Sequence, residues 1–144
     1  LGAVDNHLAR LEISKLDGVW IDCGNHFASG QVIIGNTSDR KNLKLDTDKH
    51  THLPNAGMIF PQLLQPQEIP QPELSCAELV SMGDQQLLIN DLVANVAAQY
   101  LYKLLHRQPI YSFMTYVDAE ALSMRSVPIT REDIQAYIGA EQVA

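Results

Sequence analysis

Several side chains in this sequence stand where chemistry could be done. Asp5 lies at the end of a short apolar run, Leu1–Val4, just before a helical pattern. A carboxylate at such a strand tip can hold Mg²⁺ bound to nucleotide phosphates, or it can simply cap the helix. Arg10 lies in the first turns of that helix, where it can touch a phosphate or stay solvated. Cys76 follows Ser75, and Ser75-Cys76-Ala77-Glu78 has the form of a capping box. With Ser75 as cap, Cys76 occupies the first helical position, where the helix dipole favours a thiolate. It is therefore either a nucleophile or a small packed residue. Cys23 follows an apolar strand run and reads as packing. Asp22 and Asn25 flank it and either face a site edge or fix a turn. His50 and His52 have no third ligand near them in sequence and carry no metal assignment. There is no G-x-S-x-G elbow, no HExxH and no glycine-rich phosphate loop.

The elements that must position these residues centre on Val19–Gly35, VWIDCGNHFASGQVIIG. Val19-Trp20-Ile21 is apolar on both faces, which suits a central parallel strand. With Leu1–Val4 and the intervening helix it makes a βαβ unit, and DCGN then lies at the sheet's carboxyl edge, where open α/β sheets bind ligands. The strand opening at Gly30-Gln31 is expected to run antiparallel. In the first helix, capped by Asp5 or Asn6 and ended by Asp17-Gly18, the apolar members are Leu8, Leu11, Ile13 and Leu16.

Residues 36–74 read as one long connection: a solvated loop to His52, with a possible short strand at Leu43–Leu45, then a proline-bearing extended stretch over the surface. Gly83-Asp84 separates the short helix after Ser75 from the longest one, Gln85 to about Arg107, whose repeat of Leu88, Leu92, Val96, Tyr100 and Leu104 marks its buried face. Pro109 stops it. Ile110–Val117 and Ala121–Val127 form a β-hairpin, and Thr130 caps a last helix that runs to about Gly139.

Composition fits one α/β domain over residues 1–144. Of its residues, 46% are hydrophobic and 19% charged, and the net charge is −7. No Lys/Arg run exceeds two residues, which argues against nucleic acid as a partner. The longest apolar helix carries Asn90, Asp91, Asn95 and Gln99, which argues against a membrane span. Two cysteines without a CxxC make neither a disulfide framework nor a zinc site, and point to a reduced, cytoplasmic setting.

Three segments together, Val4-Asp5-Asn6 with Arg10, then Trp20-Ile21-Asp22-Cys23-Gly24-Asn25, then Ser29-Gly30-Gln31-Val32, resemble the ThiF/MoeB family of ubiquitin-activating-type adenylating enzymes. WIDCGN…SGQVIIG, Ser75-Cys76 and Leu88-Ile89-Asn90 are most similar to the ThiF-like proteins of PRTRC genetic systems. The resemblance runs from Ala3 to about Ile129 and includes the order of long helix and hairpin.

It implies part of a Rossmann-like sheet with an appended antiparallel hairpin. It also implies ATP and Mg²⁺ as cofactors and adenylation of the C-terminus of a ubiquitin-like or sulfur-carrier protein. Asp5 would contact Mg²⁺, Asn6 and Arg10 would lie at the nucleotide, and Cys76 would be the acyl acceptor of the crossover loop. Family members are usually dimers. The glycine-rich loop and the phosphate-binding residues of the family precede the D-N motif, so the chain, which opens on Leu1, corresponds to the C-terminal portion of such a domain. Zinc is not expected. The alternative is a non-catalytic ThiF-like scaffold or subunit that binds a ubiquitin-like partner. A third reading is an unrelated small α/β binding domain.

Overall fold

In the computed structural model, residues 1–4, 6–43, 52–66 and 87–139 are described. The fold is α/β: a four-stranded antiparallel sheet in the order β1-β2-β3-β4, with helices on both faces. The strands are β1 (Trp20–Asn25), β2 (Ser29–Gly35), β3 (Ser112–Asp118) and β4 (Ser123–Pro128). The helices are α1 (His7–Ser14), α2 (Ala56–Ile59), α3 (Leu87–Leu105) and α4 (Arg131–Ile138). A 3₁₀ turn, Pro61–Leu64, follows α2.

The run VWI, expected as a central parallel strand, instead ends the strand order of an antiparallel sheet. The strand opening at Gly30-Gln31 pairs antiparallel with β1 as expected, from Trp20↔Gly35 to Asn25↔Gly30. The turn between them is closed by His26 N–H donating to the Ser29 carbonyl at 2.7 Å. β1 is apolar on both faces because both faces of the sheet are covered. Trp20, with Ile33, Met114 and Val127, packs with α2 and α4. Ile21, with Val32, Ile34 and Val117, packs with Ile89, Val93, Ala97 and Tyr100 of α3. Double coverage gives the same sequence pattern in a parallel and an antiparallel sheet. Parallel pairing among the described residues is confined to two isolated bridges, Thr37↔Pro54 and, across α1, Gly2↔Asp22. There Gly2 N–H donates to Ile21 O at 2.8 Å and Cys23 N–H donates to Gly2 O at 2.9 Å. The strand–helix–strand unit is therefore present, but its first strand is a single bridge.

The extended connection expected from Leu53 onward is corrected over its described part. Pro54 to Ile59 are buried, and α2 forms there with the Asn55 side chain accepting from Met58 N–H at 3.0 Å. The prolines did not signal this, because an Asn cap and a short Ala-Gly-Met-Ile run start a helix between them. Segment 52–55 is strapped to the end of β2: Asn36 and Thr37 N–H both donate to Leu53 O, and Asn55 N–H donates to Thr37 O.

The buried face of α3 departs from the expected one in its first half and meets it in the second. Ile89 and Val93 face the sheet where Leu88 and Leu92 were expected, which are 67% and 41% exposed, while Ala97 and Tyr100 are buried and Val96 and Leu104 pack beside them as expected. Close approach decides the rotation: a Cβ on Gly30 would lie 2.4 Å from Val93 Cγ2. Further along, the Tyr100 hydroxyl bonds the Ser112 and Thr115 hydroxyls at 3.0 and 2.9 Å. Tyr100→Phe is therefore expected to cost about 1–3 kcal/mol in urea unfolding, because buried hydroxyl partners lose a bond. The hairpin β3–β4 and the Thr130 cap of α4 form as expected, with the Thr130 side chain accepting from Asp133 N–H at 3.1 Å. No helix among the described residues is long and apolar enough to cross a membrane.

Candidate functional site

The chemistry-bearing segments converge at the carboxyl end of β1. Asn6 ends the N-terminal run and caps α1, its side-chain oxygen accepting from Ala9 N–H at 2.7 Å. One turn later Arg10 points inward. It is 7% exposed and is the one buried residue of α1, whereas Leu8 and Leu16, expected on the apolar stripe, are 63% and 72% exposed. The solvated alternative for Arg10 is thus overturned. The reason is a partner: Arg10 Nε donates to Asp22 Oδ1 at 3.3 Å, and Nη2 donates to the Cys23 carbonyl at 3.5 Å.

Asp22 is 1% exposed, and among the described residues its second oxygen, Oδ2, accepts no hydrogen bond. Burial pushes its carboxyl up to about 6, and the charge and hydrogen bond of Arg10 pull it back only in part. Burial, then the Asp22 charge, also push the Cys23 thiol up from its ordinary value, against the pull of the N-terminus and Arg10. Cys23 is therefore held as a thiol, the poorer nucleophile, in keeping with a packing role. Beyond it, Asn25 donates to the side chain of Asn90 and ties the end of β1 to the start of α3.

Of the residues expected at the site, Asn6 and Arg10 are brought to this tip, each engaged within the protein. Asp5, expected at the metal, and Cys76, expected as the acyl acceptor, lie outside the described residues. So do the capping box Ser75–Glu78, the break at Gly83-Asp84, His50, and most of the possible strand at Leu43–Leu45. Among the described residues no group of three or more His, Cys, Asp or Glu side chains is arranged to hold a metal ion.

Two concavities lie along β1, one at the tip and one at its opposite end. One, of about 370 Å³, lies between β1 and α3 and is apolar, lined by Leu1, Ala3, Cys23, Ala94, Ala98 and Leu101 among others. The other, of about 380 Å³, lies beyond the far end of α1 and includes Lys15, Trp20, Thr37, Asp39 and His52. Its loop groups largely bond one another: Asp39 N–H donates to Thr37 Oγ1, and Lys41 N–H donates to Asp39 Oδ1.

Asp22 is the residue that the sequence reading undervalued. A signal was available: an acid inside a run that is apolar on both faces needs a cation, and Arg10 is the basic residue of the preceding helix. Comparison with protein-family models, with curated proteins and with solved structures returns no match for this chain.

Proposed function

We propose that this chain is part of a ThiF-type activating domain. In the intact enzyme it serves the ATP-dependent adenylation of the C-terminal carboxylate of a ubiquitin-like or sulfur-carrier protein. The observation that carries this reading is the parallel pairing of Gly2 with Asp22 around α1. It brings Asn6 at the start of α1 and the Cys23–Asn25 strand end to one sheet edge, the kind of edge at which α/β sheets take ligands.

In the reaction, the carboxylate of the partner protein attacks the α-phosphate of ATP and pyrophosphate leaves. The protein's part is positioning and charge neutralisation. Asp5 is the group assigned to Mg²⁺. Asn6 spends its side-chain oxygen on the α1 cap and Arg10 spends its charge on buried Asp22, so neither fits as a direct phosphate or metal ligand. Their role here is to cap α1 and to tie it to β1. Cys76 is assigned as the acceptor of the activated acyl group, a step that needs a thiolate. A homodimer and a cytoplasmic setting complete the proposal.

The test is made on the full-length protein with its ubiquitin-like partner. Asp5→Ala is expected to abolish ATP–pyrophosphate exchange, and Cys76→Ala to leave exchange intact while blocking thioester formation. Undiminished exchange in Asp5→Ala overturns the assignment.

The inward commitment of Asn6 and Arg10 favours one second reading, a ThiF-like scaffold that binds a ubiquitin-like partner without chemistry. Absence of exchange in the unaltered full-length protein, together with retained partner binding, would select it.

A further inference from the structure

We propose that Asp22 is a proton-operated clasp for α1: uptake of a proton by its carboxyl tightens the docking of α1 on the sheet, and loss of that proton loosens it. The proposal stands independently of the functional reading. It begins with how α1 is held. The helix exposes Leu8 and half-buries Leu11, and its one buried side chain is Arg10. Arg10 reaches β1 through a single 3.3 Å contact to Asp22, reinforced by a 3.5 Å contact to the Cys23 carbonyl. Docking thus combines one buried charge pair with the half-buried packing of Leu11 and Ile13, and the charge pair is its only fully buried side-chain contact among the described residues.

That pair is under-compensated on its acidic side. Arg10 engages Asp22 through one nitrogen rather than as a two-pronged fork, and among the described residues Oδ2 is buried without a donor. A buried carboxylate with one longish bond does not recover its lost hydration. Among the described residues the other elements against it supply no help. β2 offers Ile33 across the ladder, Gly2 offers backbone, and α2 and the turn Pro61–Leu64 contain no titratable side chain. His7 and Glu12 are the other titratable groups of α1, and neither bonds Asp22.

Protonation removes this cost without removing the contact. The neutral carboxyl still presents Oδ1 to Arg10 Nε, and the Cys23 carbonyl is unaffected. When α1 lifts off, Asp22 meets water and returns towards its ordinary acidity. The upward shift of Asp22 to about 6 agrees in direction. The sign follows from linkage. The docked state binds the proton more tightly, so docking gains as pH falls through about 6 and stops gaining near the ordinary carboxyl value.

The experiment is amide hydrogen exchange on the full chain between pH 7 and pH 5, corrected for the intrinsic pH dependence of exchange. Protection of the α1 amides, Arg10 N–H among them, is expected to rise about tenfold over this interval. Amides in the middle of α3 serve as the reference. In Asp22→Asn the α1 amides should show no such rise. A flat profile in the unaltered protein, a fall in protection at pH 5, or the same rise in Asp22→Asn overturns the proposal. Should Asp22→Asn fail to fold, the ¹³C resonance of the Asp22 carboxyl in the unaltered protein decides. A midpoint near 6 supports the clasp, and one near the ordinary value of 3.8 overturns it.

Discussion

Arg10→Ala lowers the unfolding free energy by about 3 kcal/mol at pH 7, although it replaces a charged residue on an outer helix. The change strands the Asp22 carboxylate in a site where it is 1% exposed. Breaking a buried pair on one side typically costs about 3–5 kcal/mol, and the lower end applies because Asp22 escapes part of the cost by taking up a proton. The loss should therefore shrink at pH 5, where Asp22 is already mostly neutral in the unaltered protein. The paired replacement Arg10→Met with Asp22→Leu should recover most of the stability, because apolar groups of similar size need no partner. Urea unfolding of the three proteins at both pH values measures all of this. A loss under about 1 kcal/mol for Arg10→Ala at pH 7 would contradict the buried-pair account.

That pair also marks the boundary of what the sequence disclosed. Apolar patterning located β1, β2, the hairpin and the last helix, because each has a turn or cap signal written locally: Asn25 to Ser29, Asp118 to Glu120, Thr130. The relation of strands distant in sequence was not written in any one segment. Trp20-Ile21 reads the same whether its neighbour is parallel or antiparallel, since helices cover both faces in either case. The register of α3 against the sheet escaped for a similar reason. Leu88 and Leu92 are the more apolar-looking choice, yet Val93 fits the space over Gly30 and sets the rotation. At the candidate site the Asn6 cap was legible from residue order. The engagement of Arg10 was signalled only indirectly, by an acid inside an apolar run, because its partner lies on the next strand.

Gly35→Ala is expected to be as damaging, costing about 3 kcal/mol or more. A Cβ at this position would lie 2.2 Å from Pro54 O and 2.5 Å from Asn55 Cα. Both obstacles are backbone, so no side-chain rotation relieves them. Relief requires the strap from Leu53 to Asn55 to move off the end of β2, which breaks its bonds to Asn36 and Thr37 and pulls buried Ala56 and Met58 with it. Gly24→Ala provides the contrast. Its nearest neighbours would be side-chain atoms of Gln31 at 3.6 and 3.7 Å, ordinary contact distances, so its effect on the urea midpoint should be small. Equal midpoints for the two variants would show that the strap yields freely.

The order of the sheet carries a consequence for how the chain reaches this state. β1 with β2 and β3 with β4 are neighbours joined by tight turns, and each pair can close within microseconds. The seam between them, Ser29 with Asp118 through Ile33 with Met114, joins segments separated by the whole middle of the chain. Bringing those edges together must offset the entropy of closing that long loop before the two cores on either face can be completed. The two hairpins are the early, fast units, and the kinetic barrier lies in the meeting of β2 with β3.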